Sequence, residues 1–221
     1  MVLNMDKKEI LLQTEAYVRE TLAVGGAGHD WWHVYRVWKN ALHIAQTETV
    51  DLFVVELAAL LHDIADHKFH GGDETIGPKT ARAWLEKLGV DEPVIAHVTE
   101  IIASLSFKGA QVATPMRTSE GMVVQDADRL DAIGAIGIAR AFAYGGAKGR
   151  LLHDPQVPVE MHDSFETYKN SPAPTINHFY EKLLLLKDLM NTATARKIAE
   201  GRHAYMEEFL SRFYAEWEGE A

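Results

Sequence analysis

The chain has 221 residues, 47% of them apolar and none of them cysteine. That length and apolar share suffice for a substantial core in one domain, and the lack of thiols excludes disulfides, thiolate catalysis, zinc fingers and iron–sulfur clusters, so any metal must be held by nitrogen and oxygen. A formal charge of −10 argues against gripping a nucleic-acid backbone, which needs a basic face, and admits a small anionic substrate only at a local positive centre.

The opening residues MVLNMDKKEI hold no apolar run of signal-peptide length, and the most apolar stretch, Leu52 to Leu61, is interrupted by Glu56 and too short to span a bilayer. A soluble, cytoplasmic protein is expected, with no membrane or nucleic-acid partner. Apolar residues recur at helical spacing throughout and no segment alternates as a strand does, so the expected fold is all-α. The spacing predicts helices over 6–23, 30–47, 51–66, 74–88, 92–105, 118–144, 160–169, 175–189 and 192–217.

In the second of these, GHDWWHVYRVW places His33 on the row of Val37, Ala41 and Ile44, the row that points inward. An inward imidazole needs a partner. The third, LFVVELAALLHDIADH, follows a capping Asp51 and is apolar on nearly every side, the pattern of a helix at the centre of a bundle, yet it ends in His62, Asp63 and Asp66. Burying a carboxylate without compensation costs several kcal/mol, so these residues imply a paired network or a cation. Positions 62 and 66 lie one turn apart, so one small volume can hold all of them.

Farther on, Asp91 with Pro93 opens a helix in which His97 shares a face with Ile101. In VVQDADRLDAIGAIGIARAF, Asp126, Asp128 and Asp131 interrupt an apolar helix. Asp128 shares a row with Val124 and Ala132, and Asp131 with Ala127 and Ala135, so at least one acid points into the core. The stretch from Gly145 to Pro158 is irregular; its GGAKGR lacks the Walker spacing and reads as a turn. Thr175 and Thr192 carry cap signals for the last two helices. The final one sets Met206, Phe209, Leu210, Phe213, Tyr214 and Trp217 on one stripe, which suits core packing or a homodimer interface. No G-x-S-x-G elbow, P-loop, H-E-x-x-H pair or dinucleotide fingerprint occurs.

Two imidazoles and two carboxylates drawn from separate helices suit a divalent cation with positions left open for water and substrate. The order His33, then adjacent His62-Asp63, then Asp128 before Arg-Leu resembles the H…HD…D pattern of the HD-domain phosphohydrolases. The resemblance is greatest to the bacterial YpgQ/YedJ-like branch. It is carried by GHDWWHVYRVW, LLHDIADHKF, SFKG, VVQDADRLDAIGAIGIARAF and NHFYEKLLLLKDLM, and runs from about residue 28 to 217.

This resemblance implies an all-α HD-domain bundle: a single domain over 1–221, with a metal-binding core at about 28–145 and C-terminal helices at about 160–217 packed on it. It implies one divalent ion on His33, His62, Asp63 and Asp128, with Mn²⁺ or Mg²⁺ foremost and Co²⁺, Fe²⁺, Ni²⁺ or Zn²⁺ also compatible. It selects Asp128 over Asp131, the runner-up, and leaves Asp126 as a supporting group. The implied activity is hydrolysis of a nucleotide phosphoester or phosphoanhydride by metal-activated water, as a nucleotidase or a nucleoside triphosphate pyrophosphohydrolase.

Asp66 is the expected catalytic carboxylate that orients or deprotonates the water, unless it is a solvated helix-end group. Arg36, Lys68, Lys108 and Arg129 lie beside the motifs and are either phosphate clamps or surface charges. His29 is a substrate-side group or a cap. A di-iron oxygenase would need further histidines, for which His67, His70 and His97 are available, and a non-catalytic signalling module would tolerate a damaged ligand set.

Overall fold

The computed structural model describes residues 5–23, 30–65, 75–105, 114–161 and 173–220. Among them there are helices and no strand, as the periodicity requires. In chain order they are α1 (Lys7–Thr21), α2 (Trp31–Ala45), α3 (Leu52–Leu61), α4 (Ile76–Lys87), α5 (Glu92–Ser104), α6 (Ser119–Asp131), α7 (Gly134–Ala147) and α8 (Thr175–Glu181). A 3₁₀ helix, Leu183–Leu189, and the long α9 (Ala193–Trp217) complete them. No helix among the described residues is long and apolar enough to cross a membrane.

The described residues fall into two compact units, the first ending at Ala127 and the second beginning at Asp128. The first is built around α3, which packs on α1, α2 and α5, while α4 packs on α5. Val55 and every residue from Leu57 to Leu61 are fully buried, so the helix that is apolar all round is indeed the central one. Glu56, which interrupts it, accepts the indole N–H of Trp38 on α2 at 2.9 Å. Asp side chains cap the first three helices of this unit: Asp6 accepts from Glu9 N at 2.8 Å, Asp30 from His33 N at 2.9 Å and Asp51 from Phe53 N at 2.9 Å.

In the second unit α7 and the 3₁₀ helix pack on α9, and α8 packs on both α7 and the 3₁₀ helix. The stripe on α9 enters this core at its N-terminal end, whereas Trp217 at its far end is 45% exposed. Met206 and Leu210 are buried, and Phe209 and Phe213 join Phe142 and Phe179 with ring centroids 5.8–6.4 Å apart.

Several predicted helices end early. The expected 118–144 helix is two, because Ile133 is extended (φ −125°, ψ 166°) and Gly134 has φ +75°, a left-handed backbone open to glycine. The expected 51–66 helix stops at Leu61 and passes into a turn in which Ile64 N bonds the Leu61 carbonyl at 3.2 Å. The expected 175–189 helix breaks at Lys182 (φ −145°, ψ −59°). Beyond it the buried residues Leu183 and Leu186 recur every third position, the period of a 3₁₀ turn. Thr175 does not cap α8, since Pro174 holds that position, whereas Thr192 does cap α9, accepting from Ala195 N at 3.2 Å. The expected 160–169 helix lies almost wholly outside the described residues.

Candidate metal centre

His33 is the third residue of α2, and the Asp30 cap fixes the start of that helix, so the imidazole turns into the first unit with its side chain 2% exposed. His62 follows the last residue of α3 and is carried by the turn that ends it. Its Nδ1 lies 2.8 Å from the Ala59 carbonyl, which can only accept, so the proton sits on Nδ1 and the Nε2 lone pair faces away from the helix.

That lone pair points at the other donors. His62 Nε2 is 3.2 Å from His33 Nε2, and Asp63 Oδ2 is 3.3 Å from His33 Nε2 and 3.5 Å from His62 Nε2. The two imidazole rings meet at 70° with centroids 5.2 Å apart. Asp63 keeps 19% of its side chain exposed, so solvent reaches an otherwise closed cluster.

Asp128 is on the last turn of α6, an unbroken helix whose residues up to Ala127 belong to the first unit. Its position is therefore set by the seating of α6, where Asn40 of α2 donates to the Ala127 carbonyl at a long 3.5 Å and Gln125 donates to the Thr114 carbonyl at 3.0 Å. Donor atoms of His33, His62 and Asp128 all lie within 4.8 Å of one another.

The donor chemistry fits a divalent ion. Electron-rich imidazole and carboxylate atoms converge on one point, an arrangement that a cation relieves. Nitrogen and oxygen are the only ligand types, and the outer nitrogen of His62 is already tied to a carbonyl, as metal-bound histidines usually are.

The three acids of DADRLD separate by environment. Asp126 is fully buried, Asp131 is 2% exposed and paired to Arg140 with Oδ2 2.7 Å from Nη1, and Asp128 alone is partly open. Arg36 lies partly exposed on α2, one turn beyond His33. Arg129 is 8% exposed, and its guanidinium donates to the Leu189 carbonyl. His97 accepts or donates at 2.9 Å to Thr118 Oγ1 and lies 3.7 Å from Glu120. Asp66, Lys68, Lys108, His29, His67 and His70 lie outside the described residues. The contact of Ala59 with His62 and the pairing of Arg140 with Asp131 carry no local sequence signal; Asp30 is visible as a cap residue three positions before His33.

Residues 31–133 match the family model of the HD domain. YpgQ of Bacillus subtilis (strain 168) is 41% identical over 201 residues, covering 90% of this chain and 89% of the relative. Among solved structures, an HD-superfamily hydrolase from Bacillus thuringiensis superposes with a TM-score of 0.76 at 46% identity, covering 97% of this chain and 100% of that one. Bacillus subtilis YpgQ in complex with ADP superposes with a TM-score of 0.72 at 35% identity, covering 96% of this chain and 100% of that one.

Proposed function

The chain belongs to the HD-domain family, and on that premise we propose that it is a divalent-metal-dependent phosphohydrolase acting on a nucleotide phosphoester or phosphoanhydride. The observation that carries this reading is the approach of His33 Nε2, His62 Nε2 and Asp63 Oδ2 to within 3.2–3.5 Å of one another, with Asp128 beside the two imidazoles. The ADP complex of YpgQ supports a nucleotide as the ligand class, and the relative from Bacillus thuringiensis supports hydrolysis as the reaction class.

His33, His62, Asp63 and Asp128 would hold the ion, Mn²⁺ or Mg²⁺ by preference. When bound, a divalent cation supplies charge neutralisation at a phosphate oxygen and acidifies water. His62 contributes a lone pair in one fixed tautomer, because its other nitrogen is committed to Ala59. Asp66, three residues past Asp63, takes the proton of the attacking water. Arg36, Lys68 and Lys108 bind phosphate oxygens, offsetting the repulsion between an anionic substrate and a chain of charge −10. Arg129 joins them only if it leaves the Leu189 carbonyl, which makes it the weakest of the substrate contacts.

The test is product analysis with nucleoside mono-, di- and triphosphates, with and without Mn²⁺, Mg²⁺ or Co²⁺. Metal-dependent release of phosphate or pyrophosphate is the expected result. Absence of turnover with every combination, in protein shown to bind the ion, would return the chain to a non-catalytic module.

A further inference from the structure

The second unit contains a set of contacts that the hydrolytic residues do not account for. Asp131, the last residue of α6, is 2% exposed, and its carboxylate is held by Arg140 of α7 with Oδ2 2.7 Å from Nη1. The same Arg140 nitrogen lies 3.3 Å from the Asp131 carbonyl. Arg202 of α9 donates to the Leu130 carbonyl and packs its aliphatic stem against Gly134, where a Cβ would meet it at 3.0 Å. Burial holds Arg202 below the usual arginine range, and the Asp131 carboxylate opposes that shift.

The carbonyls at the C-terminus of a helix have no partners within it and carry the negative end of the helix dipole. Here they are taken up one by one. Ala132 N bonds the Arg129 carbonyl at 3.2 Å, Ile133 N bonds the Leu130 carbonyl at 3.3 Å, and the two arginines cover Leu130 and Asp131. Asp128 stands three residues before this end, less than one turn away, so any rotation or fraying of the last turn displaces its carboxylate.

We propose that Asp131 and Arg140 are positioning residues for Asp128: with Arg202 they lock the end of α6 and so preset the Asp128 carboxylate for a divalent cation. The inference rests on the metal reading of the site. A merely structural ion pair would contribute to stability and leave metal affinity alone. A positioning pair changes affinity, because an unlocked carboxylate must be ordered when the ion binds.

The experiment is titration of Mn²⁺ into the full chain by calorimetry and by EPR of the free ion. The variants are Arg140→Gln, Arg140→Lys, Asp131→Asn and the double variant Asp131→Asn/Arg140→Gln, each checked by far-UV circular dichroism without metal. Both single neutralisations are expected to weaken Mn²⁺ about tenfold. The double variant should be no weaker than either, because the pair acts as one unit, and Arg140→Lys should recover part of the loss. The double variant leaves no unpaired charge from this pair buried, so it remains readable if a single variant does not fold. Mn²⁺ affinity within twofold of wild type in a folded Arg140→Gln or double variant overturns the proposal, whatever the change in thermal midpoint. Wild-type protein that takes up no Mn²⁺ overturns the metal reading and this inference with it; wild type that binds while the variants match it overturns this inference alone.

Discussion

His62 gives its Nδ1 proton to the carbonyl of Ala59, 2.8 Å away and three residues back. This short contact decides the chemistry of the ring, since it leaves Nε2 as a bare lone pair 3.2 Å from His33 Nε2. Replacing His62 or Asp63 with alanine should abolish Mn²⁺ uptake and turnover while the far-UV spectrum changes little, because neither side chain belongs to the apolar core. Metal content after gel filtration checks it, and a stoichiometric ion in Asp63→Ala would refute the ligand set.

Asp66→Asn separates binding from rate. An acid that handles water without holding the ion can be neutralised at small cost to metal affinity and large cost to kcat. The expected outcome is Mn²⁺ binding near wild type with kcat lowered by about 10²-fold or more. Unchanged kcat would show that Asp66 is a solvated group.

The first unit is also braced by a hydrogen bond to a charged acceptor, Trp38 Nε1 to Glu56 Oε2 at 2.9 Å, joining α2 to α3. These two helices carry His33 and lead into His62. Glu56→Ala should cost about 1.5–3 kcal/mol, the range for hydrogen bonds to charged groups, and Glu56→Gln distinctly less because an acceptor remains. Urea unfolding midpoints of the three proteins measure the difference, and equal midpoints would remove the brace.

Glycines of α7 divide into two kinds. A Cβ on Gly137 would stand 2.2 Å from the Ala132 carbonyl oxygen, a backbone atom that cannot move aside, whereas one on Gly146 would meet nothing within 4 Å. Gly137→Ala should therefore destabilise by about 1–3 kcal/mol through forced backbone displacement. Gly146→Ala should stabilise by about 0.5–1 kcal/mol, as expected for an open helical site. Thermal unfolding of both variants tests the contrast, and shifts of the same sign would show that the helix yields at Gly137.

What could be read in the sequence follows from where the information is local. Apolar periodicity identified α3 as the central helix, and its residues from Leu57 to Leu61 are fully buried. The interior row of α2 turns His33 inward, and the structure brings its imidazole to His62. Gly134 was visible as a residue, but nothing around it marked a φ of +75°, so α6 and α7 read as one helix. The break at Lys182 was hidden in the same way, because period three and period 3.6 cannot be told apart over so short a run as LLLL. Asp131 and Asp128 looked alike in DADRLD. What separates them is Arg140, nine residues beyond Asp131, and a guanidinium on the next helix leaves no mark in a periodic pattern.

His178 on α8 gives the fold a pH dependence whose sign is fixed by the direction of its shift. Burial, reinforced by the positive charges of Lys182 and Arg150, pushes its pKa from 6.5 down to about 3. The unfolded chain therefore binds a proton at this ring between those values and the folded chain does not, so stability is full above the unfolded pKa and declines as pH falls below it. Part of the residue still meets solvent, which trims the penalty to about 1 kcal/mol at pH 5. His178→Gln removes the titrating group while keeping a polar side chain of similar reach. Urea unfolding at pH 7 and pH 5 should show wild type losing about 1 kcal/mol more than the variant on acidification. Carboxylates that also titrate in this range contribute equally to both proteins and cancel in the difference. Parallel losses in the two would mean that His178 protonates as readily in the folded chain as in the unfolded one.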